Sequence, residues 1–397
     1  MNLSRSASAR AHLSRPAVAR LIVEVLLCIV GAALVACALI ANQRHLDQHI
    51  LPSFLLSRLW IVRLEWIGRI VSIALGLSLA LAWRPRVGRF VERSPALALR
   101  IVVAGLLALA ASDLVLTRLE LRPAEWLFPD EEPLRRSDPQ LGWTLVSSRI
   151  GRPTIGGRPI EYAIDANGYR VRRVDEAVDP NRPTLLFSGE SVMFGEGLTW
   201  EESIPGQVSA LVGVQSANLA VHGFATDQAY MRLTAEVARF RQPVAIVSLF
   251  MPTLFGRNLN DDRPHFAPGL VWRPGEPRSR VRALLQLFVP YRSHEAIERG
   301  IVVTREVFRA TCDLARAHRA MPLVVVPQFG PEERLEQTLR HRILDEGHVP
   351  YVTIEIDPTW RLPWDRHPDP RAARAIANAI AARLGHSTLK TQNSNND

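Results

Sequence analysis

A serine lies where a short apolar run ends, in a position that suits nucleophilic chemistry. The run Thr184–Phe187 predicts a buried strand, Ser188 and Gly189 end it, and Ser191 follows at once. A serine at a strand-to-helix turn is exposed, and the N-terminus of a following helix favours negative charge. Such a serine can act as a nucleophile. A polar turn that only caps a helix is the competing interpretation of the same residues.

A serine nucleophile needs a base, and the base needs a group that orients it. Asp365 and His367 lie two residues apart, in a loop between the last predicted strand and the last predicted helix. In an extended loop both side chains point the same way, so Asp365 could bind one imidazole nitrogen and leave the other facing Ser191. A loop ion pair or a helix cap is the alternative for this pair.

A second polar stretch, Asn218 to Gly223, follows another predicted strand. Gly223 is a candidate to present its backbone N–H to an oxyanion. His222 is a spare polar group there, suited to structure or substrate contact more than to catalysis.

Strands and helices alternate from residue 184 onward, which predicts an α/β domain with a parallel sheet. The predicted strands are Thr184–Phe187, Gln215–Leu219, Val244–Phe250, Pro322–Pro327 and Pro350–Ile356. The predicted helices are Glu201–Val212, Thr226–Phe240, Glu295–His318, Glu332–Glu346 and Pro370–Leu384. Ligands bind such sheets at the carboxyl ends of the strands, where Ser191 is placed.

Together the three polar stretches resemble the SGNH (GDSL-type) hydrolase superfamily, in membrane-anchored form, over about residues 138–385. The matching blocks are Gly-x-Ser, a strand-end Asn-x-x-x-x-Gly, and Asp-x-His-Pro before the C-terminal helix. The resemblance implies a three-layer, flavodoxin-like α/β domain. It also implies that Ser191 is the nucleophile and that His367 and Asp365 complete the triad.

The oxyanion hole of that family uses the N–H of the serine, the second-block glycine and a third-block asparagine. The first two correspond to Ser191 and Gly223. Where the family has Gly-x-Asn-Asp, this chain reads MPTLFGRN over residues 251–258. Thr253 and the late Asn258 are the candidate replacements, and a missing donor would cost about 2.7–4 kcal/mol of transition-state stabilisation.

Basic charge is concentrated in the first quarter of the chain. Residues 1–100 hold 13 Arg, no Lys and four acids, while residues 101–397 hold 35 basic and 35 acidic groups. A surplus of positive charge that lies among apolar segments is typical of a membrane anchor and argues against nucleic-acid binding. The three cysteines (Cys28, Cys37 and Cys312) fit neither a disulfide framework nor a metal site. No phosphate-binding or dinucleotide motif is present, and we expect no cofactor.

Three apolar runs predict transmembrane helices at about 21–41, 66–83 and 98–117. A signal peptide is the alternative for the first run, and a soluble helical bundle is the alternative for all three. The N-terminal tail and a predicted basic loop at 84–100 are rich in arginine, which places both in the cytoplasm. We therefore expect a multi-pass protein of the inner (plasma) membrane, with everything after about residue 118 on the periplasmic or extracytoplasmic side.

The predicted organisation is a membrane anchor (1–118), a linker (119–137), a small β-rich lead-in (138–180) and an SGNH-like catalytic domain (181–385). A lid-like insertion is expected at about 257–294 and a disordered tail at 386–397.

The resemblance implies a membrane-anchored serine esterase or O-acyltransferase, acting on ester groups, in particular O-acetyl groups, of an extracytoplasmic glycan. The expected partners are the lipid bilayer, an ester-bearing carbohydrate and, for acyl transfer, a membrane acyl-transfer protein. A catalytically weak or inactive module that binds glycan or an envelope assembly partner is the alternative. The departure from the family pattern at residues 251–258 motivates that alternative.

Overall fold

The computed structural model describes residues 15–54, 56–118, 134–276, 279, 281, 290–363 and 366–394. The chain divides into two compact units. The first contains residues 1–48, 58–121 and 279–288, and the second contains residues 49–57, 122–278 and 289–397. The short segment 49–57, between the first two long helices, therefore belongs to the second unit.

The first unit is helical. Its helices are α1 (Arg15–Ile40), α2 (Gln43–His49), α3 (Arg58–Leu77), α4 (Arg84–Arg93) and α5 (Pro95–Arg118). A π-helical turn, Ser78–Trp83, joins α3 to α4, so residues 58–93 form one continuous helix. The segments 15–40, 58–93 and 95–117 are long and apolar enough to cross a membrane.

The prediction of a basic loop at 84–100 was wrong, because most of this segment is helical in α4 and α5. Arginine is a good helix former, so a high arginine content does not by itself indicate a loop. Only Ser94 leaves the helical conformation, with φ −144° and ψ 62°. It precedes Pro95, and a proline disfavours helical backbone at the residue before it.

Two glycines bring α1 and α3 into close contact. A Cβ at Gly31 would lie 2.5 Å from the Gly76 carbonyl oxygen, and a Cβ at Gly76 would lie 2.6 Å from the Gly31 carbonyl oxygen. Small residues allow apolar helices to approach closely enough for backbone packing, which is a main source of helix association in membranes.

The second unit is built on an eight-stranded sheet with the order β14-β13-β10-β8-β9-β7-β6-β3. Its strands are β3 (Arg149–Gly151), β6 (Tyr162–Ile164), β7 (Arg170–Val171), β8 (Thr184–Ser188), β9 (Gln215–Asn218), β10 (Pro243–Leu249), β13 (Met321–Phe329) and β14 (Tyr351–Ile356). The first five strands in that order pair in parallel and the last three pair antiparallel. The predicted α/β class with a mostly parallel sheet is confirmed.

The predicted β-rich lead-in is not separate from this sheet, since β3, β6 and β7 extend it. Three two-stranded ribbons accompany it: β1 (Arg135–Asp138) with β2 (Gly142–Leu145), β4 (Thr154–Ile155) with β5 (Arg158–Pro159), and β11 (His265–Ala267) with β12 (Val271–Arg273). The predicted Asn-Gly turn is present between β6 and β7, with Gly168 at φ 82°.

Helices cover the sheet. They are α6 (Ser191–Phe194), α7 (Ile204–Val212), α8 (Thr226–Glu236), α9 (His294–Ala317), α10 (Arg334–Arg340) and α11 (Pro370–Ser394). Successive strand residues point to opposite faces. Leu185 and Phe187 accordingly pack in one core cluster with residues of α7 and α11, while Leu186 packs in another with residues of α8.

Two of the predicted segments contain regular secondary structure. Helix α11 continues to Ser394, so residues 386–394 are helical where a disordered tail was predicted. Once a helix is nucleated, each further turn costs little, and no proline interrupts this stretch. In the predicted insertion 257–294, the described residues include the end of a 3₁₀-helix, Pro252–Leu259, and the β11–β12 hairpin.

Gly31→Ala is expected to destabilise the protein, because its Cβ would collide with the backbone of α3. Overpacking of this kind typically costs about 1–3 kcal/mol. The matched control is Gly105→Ala on α5, where a Cβ meets no described atom within 4 Å. Thermal unfolding of the detergent-solubilised protein should show a lower midpoint for Gly31→Ala and a midpoint no lower than wild type for Gly105→Ala, because alanine favours helix over glycine. Equal midpoints would contradict close packing at Gly31.

Candidate active site

Loops at one edge of the sheet carry the residues that the sequence singled out. Ser191 follows β8, Gly223 follows β9, Thr253 follows β10 and His367 follows β14. These four strands run parallel within one sheet, so their carboxyl ends lie at the same edge.

Ser191 and His367 meet there. The Ser191 Oγ atom lies 2.8 Å from Nε2 of His367, although 176 positions separate the two residues in the chain. Ser191 is 4% exposed and His367 is 8% exposed. A buried hydroxyl in hydrogen-bond contact with an imidazole is the arrangement that lets histidine remove the hydroxyl proton as oxygen attacks an electrophile. Asp365 lies outside the described residues, and its role as the third triad member stays a prediction.

Glu190 is a second neighbour of the serine hydroxyl. Its Oε2 atom lies 2.8 Å from Ser191 Oγ and accepts the Val192 N–H at 3.0 Å, which caps the short helix α6. The hydroxyl has one proton, so it donates either to Glu190 or to His367. Arg257 lies 3.7 Å from the same Oε2 atom and balances the negative charge of Glu190.

A buried arginine holds the helix that carries Ser191. Arg170 is 0% exposed and donates to the carbonyl oxygens of Phe194 (2.5 Å), Gly195 (2.8 Å) and Leu198 (2.6 Å). Its guanidinium carbon lies 4.5 Å from the ring centre of Tyr162 and 4.9 Å from that of Phe194. Burial lowers the pKa of Arg170 to about 10, so the group remains charged at neutral pH. The carbonyls at the end of a one-turn helix have no partner within that helix, and Arg170 supplies them with a charged donor.

Asn218 binds the same turn from the neighbouring strand. Its side-chain amide donates to the carbonyl oxygens of Met193 (3.2 Å) and Phe194 (3.3 Å), and its Oδ1 atom accepts the Ala220 N–H at 3.1 Å. The predicted second block therefore connects the end of β9 to the serine helix.

Gly223 adopts left-handed backbone, with φ 82°. Its carbonyl oxygen accepts a hydrogen bond from Arg263 at 2.8 Å, and the carbonyl of His222 accepts one from the Trp143 indole at 3.2 Å. These contacts orient the turn from its carbonyl side. Within the described residues the Gly223 N–H makes no hydrogen bond, which leaves it available to an oxyanion.

His222 pairs with Glu196. Its Nδ1 atom lies 3.1 Å from Glu196 Oε2, and its ring centre lies 5.1 Å from that of Phe194. Burial raises the pKa of Glu196, but the nearby His222, together with His367, outweighs burial and lowers that pKa to about 2. Glu196 is therefore ionised at neutral pH. This contact occupies one ring nitrogen of His222, whose predicted role in substrate binding stays a prediction.

The two candidate third-block donors have different surroundings. The Asn258 side chain is held by Thr226 and Thr304: its Nδ2 atom donates to their hydroxyls, and its Oδ1 atom accepts the Thr226 N–H. The Thr253 hydroxyl makes no hydrogen bond within the described residues. It lines a cavity of about 50 Å³ together with Arg361, which lies near His367 in the chain.

Sequence reasoning missed Arg170 and Arg257. The signal for the first was an arginine between Tyr169 and Val171 in a short strand after the Asn-Gly turn, because a charged residue among apolar strand residues is rare unless it is paired. Nothing in the sequence distinguished Arg257 from the other arginines of its segment. Among the described residues, no group of three or more His, Cys, Asp or Glu side chains is arranged to hold a metal ion.

Solved structures similar to this chain are GDSL-type lipolytic proteins and esterases. One is described as an arylesterase from Agrobacterium tumefaciens, with 16% identity, 51% of this chain and 99% of that chain covered, and a TM-score of 0.32. An acetyl xylan esterase from the rumen bacterium Butyrivibrio proteoclasticus has 11% identity and a TM-score of 0.34. The match covers 54% of this chain and 66% of the esterase chain. A member of the lipolytic G-D-S-L family from Veillonella parvula DSM 2008 has 12% identity and a TM-score of 0.29. The match covers 49% of this chain and 94% of the other chain. No protein-family model and no curated protein sequence matches the chain.

Replacing Arg170 with methionine is expected to release the serine helix, because three buried carbonyl groups lose a charged donor. We expect a loss of about 3 kcal/mol or more in the free energy of unfolding. The matched control is Arg172→Met, which removes an exposed side chain paired with Glu201. Thermal unfolding of both variants in detergent tests the difference, and a loss no larger for Arg170→Met than for Arg172→Met would contradict this role.

Proposed function

We propose that this protein is a serine esterase that acts through Ser191 and His367. The observation that supports it most strongly is the buried 2.8 Å contact between Ser191 Oγ and His367 Nε2. Asp365 is proposed as the group that orients the imidazole, on the sequence motif alone.

The proposed reaction has two stages. Ser191 Oγ attacks the ester carbonyl carbon while His367 Nε2 takes the hydroxyl proton, which gives a tetrahedral oxyanion. The carbon–oxygen bond to the alcohol breaks, His367 returns the proton to the departing oxygen, and an acyl-serine remains. Water then attacks the acyl carbon while His367 Nε2 takes a proton from it. The bond between that carbon and Ser191 Oγ breaks, His367 returns the proton to Oγ, and the acid leaves.

The N–H groups of Ser191 and Gly223 are the proposed donors to the oxyanion. Ser191 is the first residue of α6, so its N–H has no partner within the helix. We propose Thr253 over Asn258 as the third donor, because the Asn258 amide is occupied by two threonines and the Thr253 hydroxyl is not occupied by any described group.

We further propose that the enzyme is anchored in the plasma membrane by three helices, with the second unit outside the cytoplasm. The segment 49–57 supports this arrangement, because it belongs to the same unit as the catalytic residues. If the helices 58–93 and 95–118 each cross once, the chain returns to the side on which segment 49–57 lies. The arginine-rich N-terminal tail favours the cytoplasm as the opposite side.

The proposed substrate is an O-acetylated glycan outside the cytoplasm. An anchored, outward-facing catalytic unit resembles proteins that trim or add acetyl groups on surface glycans. Transfer to a sugar hydroxyl would use the same acyl-serine with a different acceptor, and a membrane acyl-transfer partner would then supply the acyl group. An inactive glycan-binding module is the second candidate, favoured by the departure of residues 251–258 from the family pattern Gly-x-Asn-Asp.

Ser191→Ala is expected to abolish hydrolysis of 4-nitrophenyl acetate by the full-length protein in detergent. His367→Gln should lower kcat by about 10⁴-fold or more, and Asp365→Asn by a comparable factor, since triad members act as a unit. Asp357→Asn, in an exposed turn, is the control and should keep full activity. Equal release of 4-nitrophenol by wild type and Ser191→Ala would overturn the assignment and favour the binding module.

The orientation can be measured with fusions to the C-terminus of the full-length chain. Alkaline phosphatase matures only outside the cytoplasm, whereas green fluorescent protein exported in unfolded form does not fluoresce there. We expect an active phosphatase fusion and a dark fluorescent one. The opposite pair of results would place the catalytic unit in the cytoplasm and contradict the proposed topology.

A further inference from the structure

The start of the segment 49–57 is held by backbone hydrogen bonding to residues 291 and 292 of the same unit. Ile50 forms an isolated antiparallel bridge with Tyr291, and the Arg292 N–H donates to the His49 carbonyl at 2.9 Å. In return, His49 Nδ1 lies 2.8 Å from the Arg292 carbonyl, and the rings of His49 and Tyr291 stack with centres 4.5 Å apart. These contacts fix the start of the segment against residues 291 and 292.

Phe54 lies against the catalytic imidazole. Its side chain is buried, with 5% of the residue exposed, and its ring centre lies 4.9 Å from that of His367 at an interplanar angle of 66°. Edge-to-face contact at this distance is the favourable geometry for two aromatic rings. The segment between the first two long helices therefore supplies a wall of the site that contains Ser191.

The same phenylalanine covers the loop that carries His367. The Arg361 guanidinium carbon lies 3.9 Å from the ring centre of Phe329 and 5.7 Å from that of Phe54. Arg361 also donates to the Arg366 carbonyl at 2.7 Å, which draws the two ends of the loop together. Phe54 thus contacts both the imidazole and the arginine that shapes the loop.

The loop's backbone bonds do not set the direction of the imidazole. The Leu362 N–H donates to the His367 carbonyl at 2.7 Å, and the Asp369 N–H donates to the Trp360 carbonyl at 3.1 Å. Both bonds fix main-chain atoms, while the side-chain torsions of His367 depend on what surrounds the ring. The Phe54 ring restricts those torsions by packing against the imidazole. In the torsions that His367 adopts, its Nε2 atom lies within hydrogen-bond distance of Ser191 Oγ.

We propose that Phe54 is a positioning residue that holds the His367 imidazole in line with Ser191, so that the segment between the first two membrane helices completes the active site. This inference rests on the proposed esterase function. Displacement of a reacting group by about 1 Å is enough to cost 10²-fold in rate, so a lost ring contact should reduce turnover and spare substrate binding.

The test uses the full-length protein in detergent, with 4-nitrophenyl acetate as substrate and the concentration of folded protein determined for each variant. Phe54→Ala should lower kcat by about 10- to 100-fold and change KM by less than about 3-fold. Phe54→Tyr keeps an aromatic ring beside His367 and should retain kcat within about 3-fold of wild type. Phe54→Leu keeps an apolar side chain without a ring and should resemble Phe54→Ala, which provides a variant that folds if the alanine protein does not.

The matched control is Leu51→Ala, on the same segment. Leu51 packs beside a core cluster that does not include His367, and its side chain lies near Gly256. This variant should lower the unfolding midpoint and leave kcat per folded molecule unchanged.

The outcomes separate the inference from the function on which it rests. Full kcat in both Phe54→Ala and Phe54→Leu, in a protein whose turnover requires Ser191, would overturn the role of Phe54 alone. An equal loss of kcat in Leu51→Ala would also overturn it, because the effect would then be general loosening of the segment. Absence of Ser191-dependent turnover in wild type would overturn the proposed function and this inference with it.

Discussion

The contact between Ser191 and His367 is the interaction on which the rest of the site depends. A neutral hydroxyl is a weak nucleophile, and it becomes useful only when an imidazole can take its proton during attack. Both residues lie in short connecting segments, and a one-turn helix has no stability of its own in water. The fold must therefore hold two weakly structured segments so that Oγ and Nε2 stay 2.8 Å apart.

Buried polar groups hold the short helix that carries Ser191, and ring contacts hold the loop that carries His367. Arg170 and Asn218 bind the carbonyl groups at the end of the serine helix, from two strands that lie side by side in the sheet. Burying the Arg170 guanidinium would cost free energy if it lacked hydrogen-bond acceptors. Its three hydrogen bonds to the carbonyls of Phe194, Gly195 and Leu198 offset that cost. On the other side, Phe54 and Arg361 close over the loop that carries His367.

The sequence predicted the strands well, because short β-branched runs bounded by turn residues have few other interpretations. It also predicted the meeting of Ser191 and His367, since a family resemblance carries geometry that periodicity cannot. The role of Phe54 could not be predicted, because no local pattern shows which distant loop an apolar side chain will cover. Residues 84–100 were misread because arginine marks a charged segment without indicating whether that segment is helical.

The central claim is that His367 activates Ser191, and covalent labelling tests it most directly. A fluorophosphonate probe reacts with serines that an adjacent base activates, and mass spectrometry of the digested full-length protein identifies the modified residue. We predict a single modified serine, Ser191, and a labelling rate that falls at least 100-fold in His367→Gln. Modification spread over several serines, or a rate at Ser191 that is unchanged in His367→Gln, would contradict the account.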